Sequence, residues 1–125
     1  MNIDYQAEVR ENHVYIHCQG IYNERDLMLL FDEVLQIPGR NDREVVLVDV
    51  REISGDHPTT MERYKLGVFI SEHNYLGICI VVVGKEPYVD PGRFGETVAL
   101  NRGARGKVFI DMEAALAWID SYIQK

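Results

Sequence analysis

Four histidines, two cysteines and one acid inside an apolar run are where chemistry would have to start. His13, His17, His57 and His73 invite a metal ion. His13 and His17 fall four apart in a segment that alternates like a strand, which separates them by about 13 Å. One zinc with ligand bonds of about 2 Å does not join them. No Cys-x-x-Cys or His-Glu-x-x-His spacing occurs, so no metal is expected and the histidines read as surface residues. Cys18 lies on the core side of its segment and Cys79 inside the most apolar stretch. Both read as buried, reduced thiols, since a catalytic thiolate needs an accessible, electropositive setting. Residues 93–107 carry Arg93, Arg102, Arg105 and Lys107 against the single acid Glu96. Beside a helix start at Asp90-Pro91, Arg93 and Arg102 could contact an anion. The glycines fit neither a P-loop nor a dinucleotide fingerprint, and a solvated basic face is the simpler reading. The chain therefore reads as a non-enzyme without a cofactor.

The stretch that organises the rest is residues 44–62, EVVLVDVREISGDHPTTME. Val45, Val46, Leu47, Val48 and Val50 form an apolar run suited to a strand covered on both faces, as in a parallel sheet. Asp49 interrupts it, and an acid there must find donors or solvent. It either ties down a loop over residues 51–58 or lines a recognition site with Asp56 and His57. Thr59 with Glu62 three residues on makes a capping box, so Thr59 reads as a helix N-cap. In open parallel sheets, ligands and partners meet the carboxyl ends of strands. Asp49, Ser54, Asp56, His57, Thr59 and Thr60 are the candidate recognition residues.

Those residues need a frame, and the flanking periodicities supply it. Residues 3–9 and 13–20 read as an antiparallel hairpin, with Val14, Ile16 and Cys18 on one side and His13, Tyr15, His17 and Gln19 on the other. Asn23 caps a helix predicted over residues 24–37, with a Tyr22–Leu27 staple, a core stripe from Leu27, Leu30, Phe31, Val34 and Leu35, and a stop at Pro38-Gly39. The helix predicted over residues 59–73 is two-sided. Met61, Tyr64 and Val68 occupy one side and Leu66, Phe69 and Ile70 nearly the opposite one. One side packs on the sheet, and the other needs a neighbouring helix, a ligand or a second subunit; Leu66, Phe69 and Ile70 are the candidate interface. Residues 76–83 read as a second buried strand and residues 107–110 as a short one. Between them a helix is expected from Asp90-Pro91 to a C′ residue at Gly103. Asp111 caps a last helix whose Met112, Ala115, Leu116, Ile119, Tyr122 and Ile123 share a face, with Trp118 at its edge.

The order β-β-α-β-α-β-α-β-α implies one α/β domain over residues 1–125, with a mostly parallel sheet, an antiparallel edge strand and right-handed crossovers. The 125 residues are 46% hydrophobic and 26% charged, with a net charge of −7. That charge argues against nucleic acid and anionic membranes as partners. No apolar run reaches the length of a membrane span, and the N-terminal MNIDYQAEVR has no apolar signal core. A cytoplasmic protein is expected.

The sequence resembles the SpoIIAA-like, or STAS-domain, family along essentially its whole length. The resemblance rests on VVLVDVREI before a helix, the buried LGICIVVV, and the ending KVFIDMEAALAWI, which is similar to small stand-alone SpoIIAA-like proteins. It implies the SpoIIAA-like fold and a regulatory, protein-interaction role, since the best-known members are anti-sigma-factor antagonists that switch partners through phosphorylation. Laid on their Asp-x-Ser and Asp-Ser-Ser-Gly pattern from Asp49, this chain has Arg51 for the first Ser and His57 for the second Asp. Pro58 replaces the acceptor Ser, Thr59 the next Ser and Thr60 the Gly, so the switch does not carry over. A homodimer or another protein is the expected partner. The alternative is a small-molecule or lipid-binding domain, because lipid-transfer CRAL-TRIO domains share the fold and an apolar cavity would suit it.

Overall fold

The computed structural model describes residues 2–86, 88, 89 and 99–124. Five strands, β1 (Ile3–Val9), β2 (Val14–Ile21), β3 (Val45–Ser54), β4 (Cys79–Val83) and β5 (Arg105–Phe109), form one sheet in sequence order. β1 and β2 are antiparallel and the other neighbours parallel. The described helices are α1 (Glu24–Val34), the short α2 (Ile37–Arg40), α3 (Thr60–Ser71) and α4 (Met112–Ile123). Parallel neighbours that step steadily across a sheet through right-handed crossovers place their connecting helices on one face. α1 and α3 accordingly share a core with Val46, Val48 and Val50. The last helix follows β5 and covers the opposite face, packing Ala115 and Ile119 on Val45, Leu47, Cys79 and Val81. β3 is thus buried from both sides through Val50, each Val or Leu contributing roughly 1.5–3 kcal/mol.

Local sequence explains the helix boundaries. Asn23 Oδ1 accepts from the Asp26 N–H at 3.1 Å, and Leu27, Leu30, Phe31 and Val34 form the buried stripe of α1. Tyr22 and Leu27 join the same cluster, as a staple requires. The predicted continuation to Ile37 is corrected: α1 ends at Val34, and Pro38 lies in the first turn of α2, where its missing N–H costs nothing. Asp111 caps α4 by accepting from the Ala114 N–H at 2.9 Å. The helix expected from Asp90-Pro91 begins outside the described residues. Its described end closes at Gly103, φ +94°, with Ala104 N–H bonded to the Ala99 carbonyl at 3.0 Å.

Three further expectations change. β3 does not stop at Val50 but runs to Ser54, because a bulge lets it follow β2. His17 pairs with Asp49, yet Gln19 pairs with Glu52. The extra residue shifts the alternation, so both Val50 and Ile53 are buried. The second correction concerns α3. Leu66, Phe69 and Ile70 pack against the core, while Met61 and Tyr64 are 62% and 39% exposed. A helical wheel separates two sides without telling which one the crossover turns inward. Leu66, Phe69 and Ile70 are therefore not an exposed interface. Third, His13 and His73 are not surface residues. His13 is buried, and the His73 ring lies between the Phe69 carbonyl (2.9 Å) and Asp32 Oδ1 (3.1 Å), tying the end of α3 to α1.

Candidate functional site

Past the carboxyl end of β3 the chain turns through residues 55–59 into α3. Gly55 takes φ +90°, a conformation suited to glycine, and the Tyr88 hydroxyl donates to its carbonyl. On the strand side, Tyr22 N–H bonds the Ser54 carbonyl at 2.8 Å and the Ser54 hydroxyl donates to the Gly20 carbonyl at 3.3 Å. On the helix side the capping box is complete. Thr59 Oγ1 accepts from the Glu62 N–H (3.2 Å), and Glu62 Oε1 accepts from the Thr59 N–H (3.0 Å). The Tyr22 hydroxyl donates to the same Glu62 oxygen at 3.1 Å. Burial and the Glu62 carboxylate push the Tyr22 phenol up, so it stays a donor. Pro58 is buried and its carbonyl accepts from Arg63 Nε at 3.3 Å. Both ends of a five-residue turn are thereby pinned.

The turn presents Ser54, Asp56, His57, Thr59 and Thr60, all exposed, on one continuous stretch, with Met61 and Tyr64 following on the outward side of α3. Asp49 stands apart, on the face that α4 covers. It is 1% exposed, and its oxygens accept from the Tyr15 hydroxyl (2.6 Å), Arg51 N–H (3.1 Å), Arg51 Nε (2.9 Å) and Arg51 Nη2 (2.9 Å). Burial works to raise this carboxyl, but the hydrogen bonds and charge of Arg51 together with the Tyr15 hydroxyl outweigh it and hold it below the usual carboxylate range. Burial and the neighbouring carboxylate push the Tyr15 phenol up to about 12. The bulge that turns Arg51 toward Asp49 also sends Glu52 to His17, Nε2 to Oε2 2.7 Å. The Arg10 guanidinium lies 4.1 Å over the Tyr15 ring. Sequence reasoning missed this network. The signals were present, a Tyr-x-His pair on one strand face and Asp-x-Arg on another, but only the pairing of β2 with β3 connects them.

Of the two candidate anion contacts, Arg93 lies outside the described residues. Arg102 is exposed and reaches the Tyr64 hydroxyl at 3.5 Å. Among the described residues, no three His, Cys, Asp or Glu side chains converge as metal ligands. No described helix is long and apolar enough to cross a membrane. Burial pushes the thiols up, to about 12 for Cys18 and about 11 for Cys79. An apolar cavity of about 140 Å³ opens between α1, α3 and the β3–β5 part of the sheet, with Pro58 and Tyr88 in its wall.

Among solved structures, an anti-sigma factor antagonist from Mycobacterium paratuberculosis superposes with a TM-score of 0.58 over 94% of this chain and 94% of its own, at 12% identity. The chain has that protein's fold: a mixed five-stranded sheet with an antiparallel first pair and helices on both faces. No protein-family model matches the chain, and no curated protein does.

Proposed function

We propose that this chain is a non-enzymatic regulatory module that binds another protein through residues 54–60 and the outward side of α3. The carrying observation is a short, exposed turn at the carboxyl end of β3, pinned on both sides and followed by exposed Met61 and Tyr64. A pre-set turn loses little conformational entropy on binding, and an exposed Met–Tyr pair offers apolar contact beside Asp56 and His57. The likeness of fold to an anti-sigma factor antagonist, a protein that by its description acts on a regulator, favours the same class of role. The phosphoacceptor position of such modules is lost here. Pro58 has no hydroxyl, and the Thr59 hydroxyl is occupied as the N-cap. A phosphate switch at this turn would fall to the exposed Thr60 or Ser54, and the partner is another protein or a second copy of the chain, in the cytoplasm.

A photo-crosslinking residue in place of His57 tests this in the cells that make the protein, against a control in place of Gln6 on β1. Discrete adducts from position 57 that disappear with Tyr64→Glu are expected. Equal adducts from both positions, or none from 57, refute the reading. A second reading, a small-molecule-binding domain of the same fold, is favoured by the apolar cavity beside the turn.

A further inference from the structure

The cavity lies on the α1–α3 face of the sheet, and its described walls are apolar almost throughout, with Leu27, Ile53, Leu66, Ile70 and Val82 among them. No Asp or Glu belongs to the described wall. The three basic residues along the described wall are directed elsewhere: Arg105 and Lys107 occupy the β5 positions paired with Cys79 and Val81, which pack with α4 on the opposite face. Arg63 Nε donates to the Pro58 carbonyl, and Lys107 Nζ sits 5.8 Å from the Phe109 ring, which packs with α4 on the opposite face. A polar or charged guest would lose its water without regaining partners. An apolar one would not. At about 140 Å³ the space, which opens to solvent on one side, is close in size to an apolar cavity of about 150 Å³ that takes up benzene.

The wall also touches the turn. Pro58 forms part of it directly, and Tyr88, another wall residue, holds the Gly55 carbonyl. We infer that the cavity binds a small uncharged apolar molecule, the size of one aromatic ring or a short alkyl chain, and that its occupancy braces residues 55–59. The binding half stands on the cavity alone; the bracing half rests on the proposed role of the turn.

Benzene is a suitable probe, titrated into the full chain and followed by methyl and amide NMR. Saturable shifts are expected at the methyls of Ile53, Leu66, Ile70 and Val82, and at the amides of Gly55, Asp56, His57 and Thr59. Leu47, Val81 and Ile119 on the other face should stay unmoved. Val82→Phe, which fills the space, should weaken the response at least tenfold while the spectrum stays dispersed; Leu66→Phe serves if that variant does not fold. Absence of saturable shifts overturns the inference, since the protein then fills the space with its own atoms. Equal shifts on both faces, or a response untouched by either filling variant, overturn it as well. Cavity shifts with silent amides at Gly55, Asp56, His57 and Thr59 overturn the bracing and uphold the binding, and the crosslinking result at His57 is independent of both.

Discussion

Asp49→Asn is the most informative single change, because it keeps the shape of the side chain and removes its charge. Asp49 is 1% exposed and accepts four hydrogen bonds, two of them a bidentate pair from Arg51 at 2.9 Å each. Hydrogen bonds to charged groups are worth roughly 1.5–3 kcal/mol net. The Arg51 side chain is 45% exposed, so solvent screens the pair and favours the lower end, about 2 kcal/mol. The amide nitrogen of Asn also meets donors wherever it points, so the loss is not recovered by a flip. The pH dependence follows from the direction of the shift. With the folded carboxyl held below its unfolded value of about 3.9, the unfolded chain takes up the proton first. The stabilisation is fully present above that value and is lost as pH falls through the folded one. Urea unfolding of wild type and Asp49→Asn should therefore differ by about 2 kcal/mol at neutral pH. The gap should narrow as pH falls through the folded carboxyl's lowered value, where the protonated acid resembles the amide. A gap that is absent at neutral pH, or unchanged on acidification, refutes the account of this network.

Three other outcomes are expected. Thr59→Ala removes the acceptor of the Glu62 N–H and should cost about 1 kcal/mol in chemical unfolding, whereas Thr59→Ser should cost much less. Gly106 has φ +150°, and a Cβ there would overlap the Ile80 carbonyl oxygen. Gly106→Ala should therefore destabilise the protein by roughly 3 kcal/mol and expose β4–β5 amides to hydrogen exchange. His13 is buried, with Nδ1 2.7 Å from Asn12 Oδ1 and, among the described residues, no partner at Nε2. Burial lowers its pKa, assisted by the charge of Arg10 against smaller opposing effects of Asp120 and Glu8. The unfolded chain binds that proton first, so stability falls as pH drops from about 6.5 toward the folded value. His13→Phe should flatten that part of the stability–pH curve, and an unchanged slope would remove His13 as its source.

What was legible in the sequence was whatever depends on near neighbours. Asn23, Thr59 and Asp111 cap helices because their acceptors lie three residues from the N–H they serve. Val45 to Val48 are buried because a continuous apolar run fits only a doubly covered strand. The mixed sheet likewise follows from the element order. The failures share another cause. The extension of β3 to Ser54 depends on β2, which continues to Ile21 and offers its edge to the bulged strand. His13 looks like a polar residue on a wet face until the hairpin end is packed away, with Asn12 Nδ2 bonded to Asp120 of α4 at 2.8 Å, a contact 108 residues apart in sequence. The inward side of α3 and the partners of Asp49 were illegible for the same reason, since each is decided by a remote element.

The direction of the strand order also bears on how the proposed module is controlled. Because β2 to β5 advance one position at a time, α1 and α3 are crowded onto one face, and among the described residues α4 serves the other. The start of α3 then stands at the carboxyl end of β3, held by Glu62, Tyr22 and the capping box. A phosphate at Thr59 would suit the positive end of the helix electrostatically and its oxygens could accept the Glu62 N–H, but it would stand against the Glu62 carboxylate of the same box. The cavity behind Pro58 and Tyr88 touches the turn without using any of its exposed side chains. On the proposed reading, recognition and control are thus separated. Asp56, His57, Met61 and Tyr64 face the partner, and the apolar space on the inner side of α3 sets how firmly they are held.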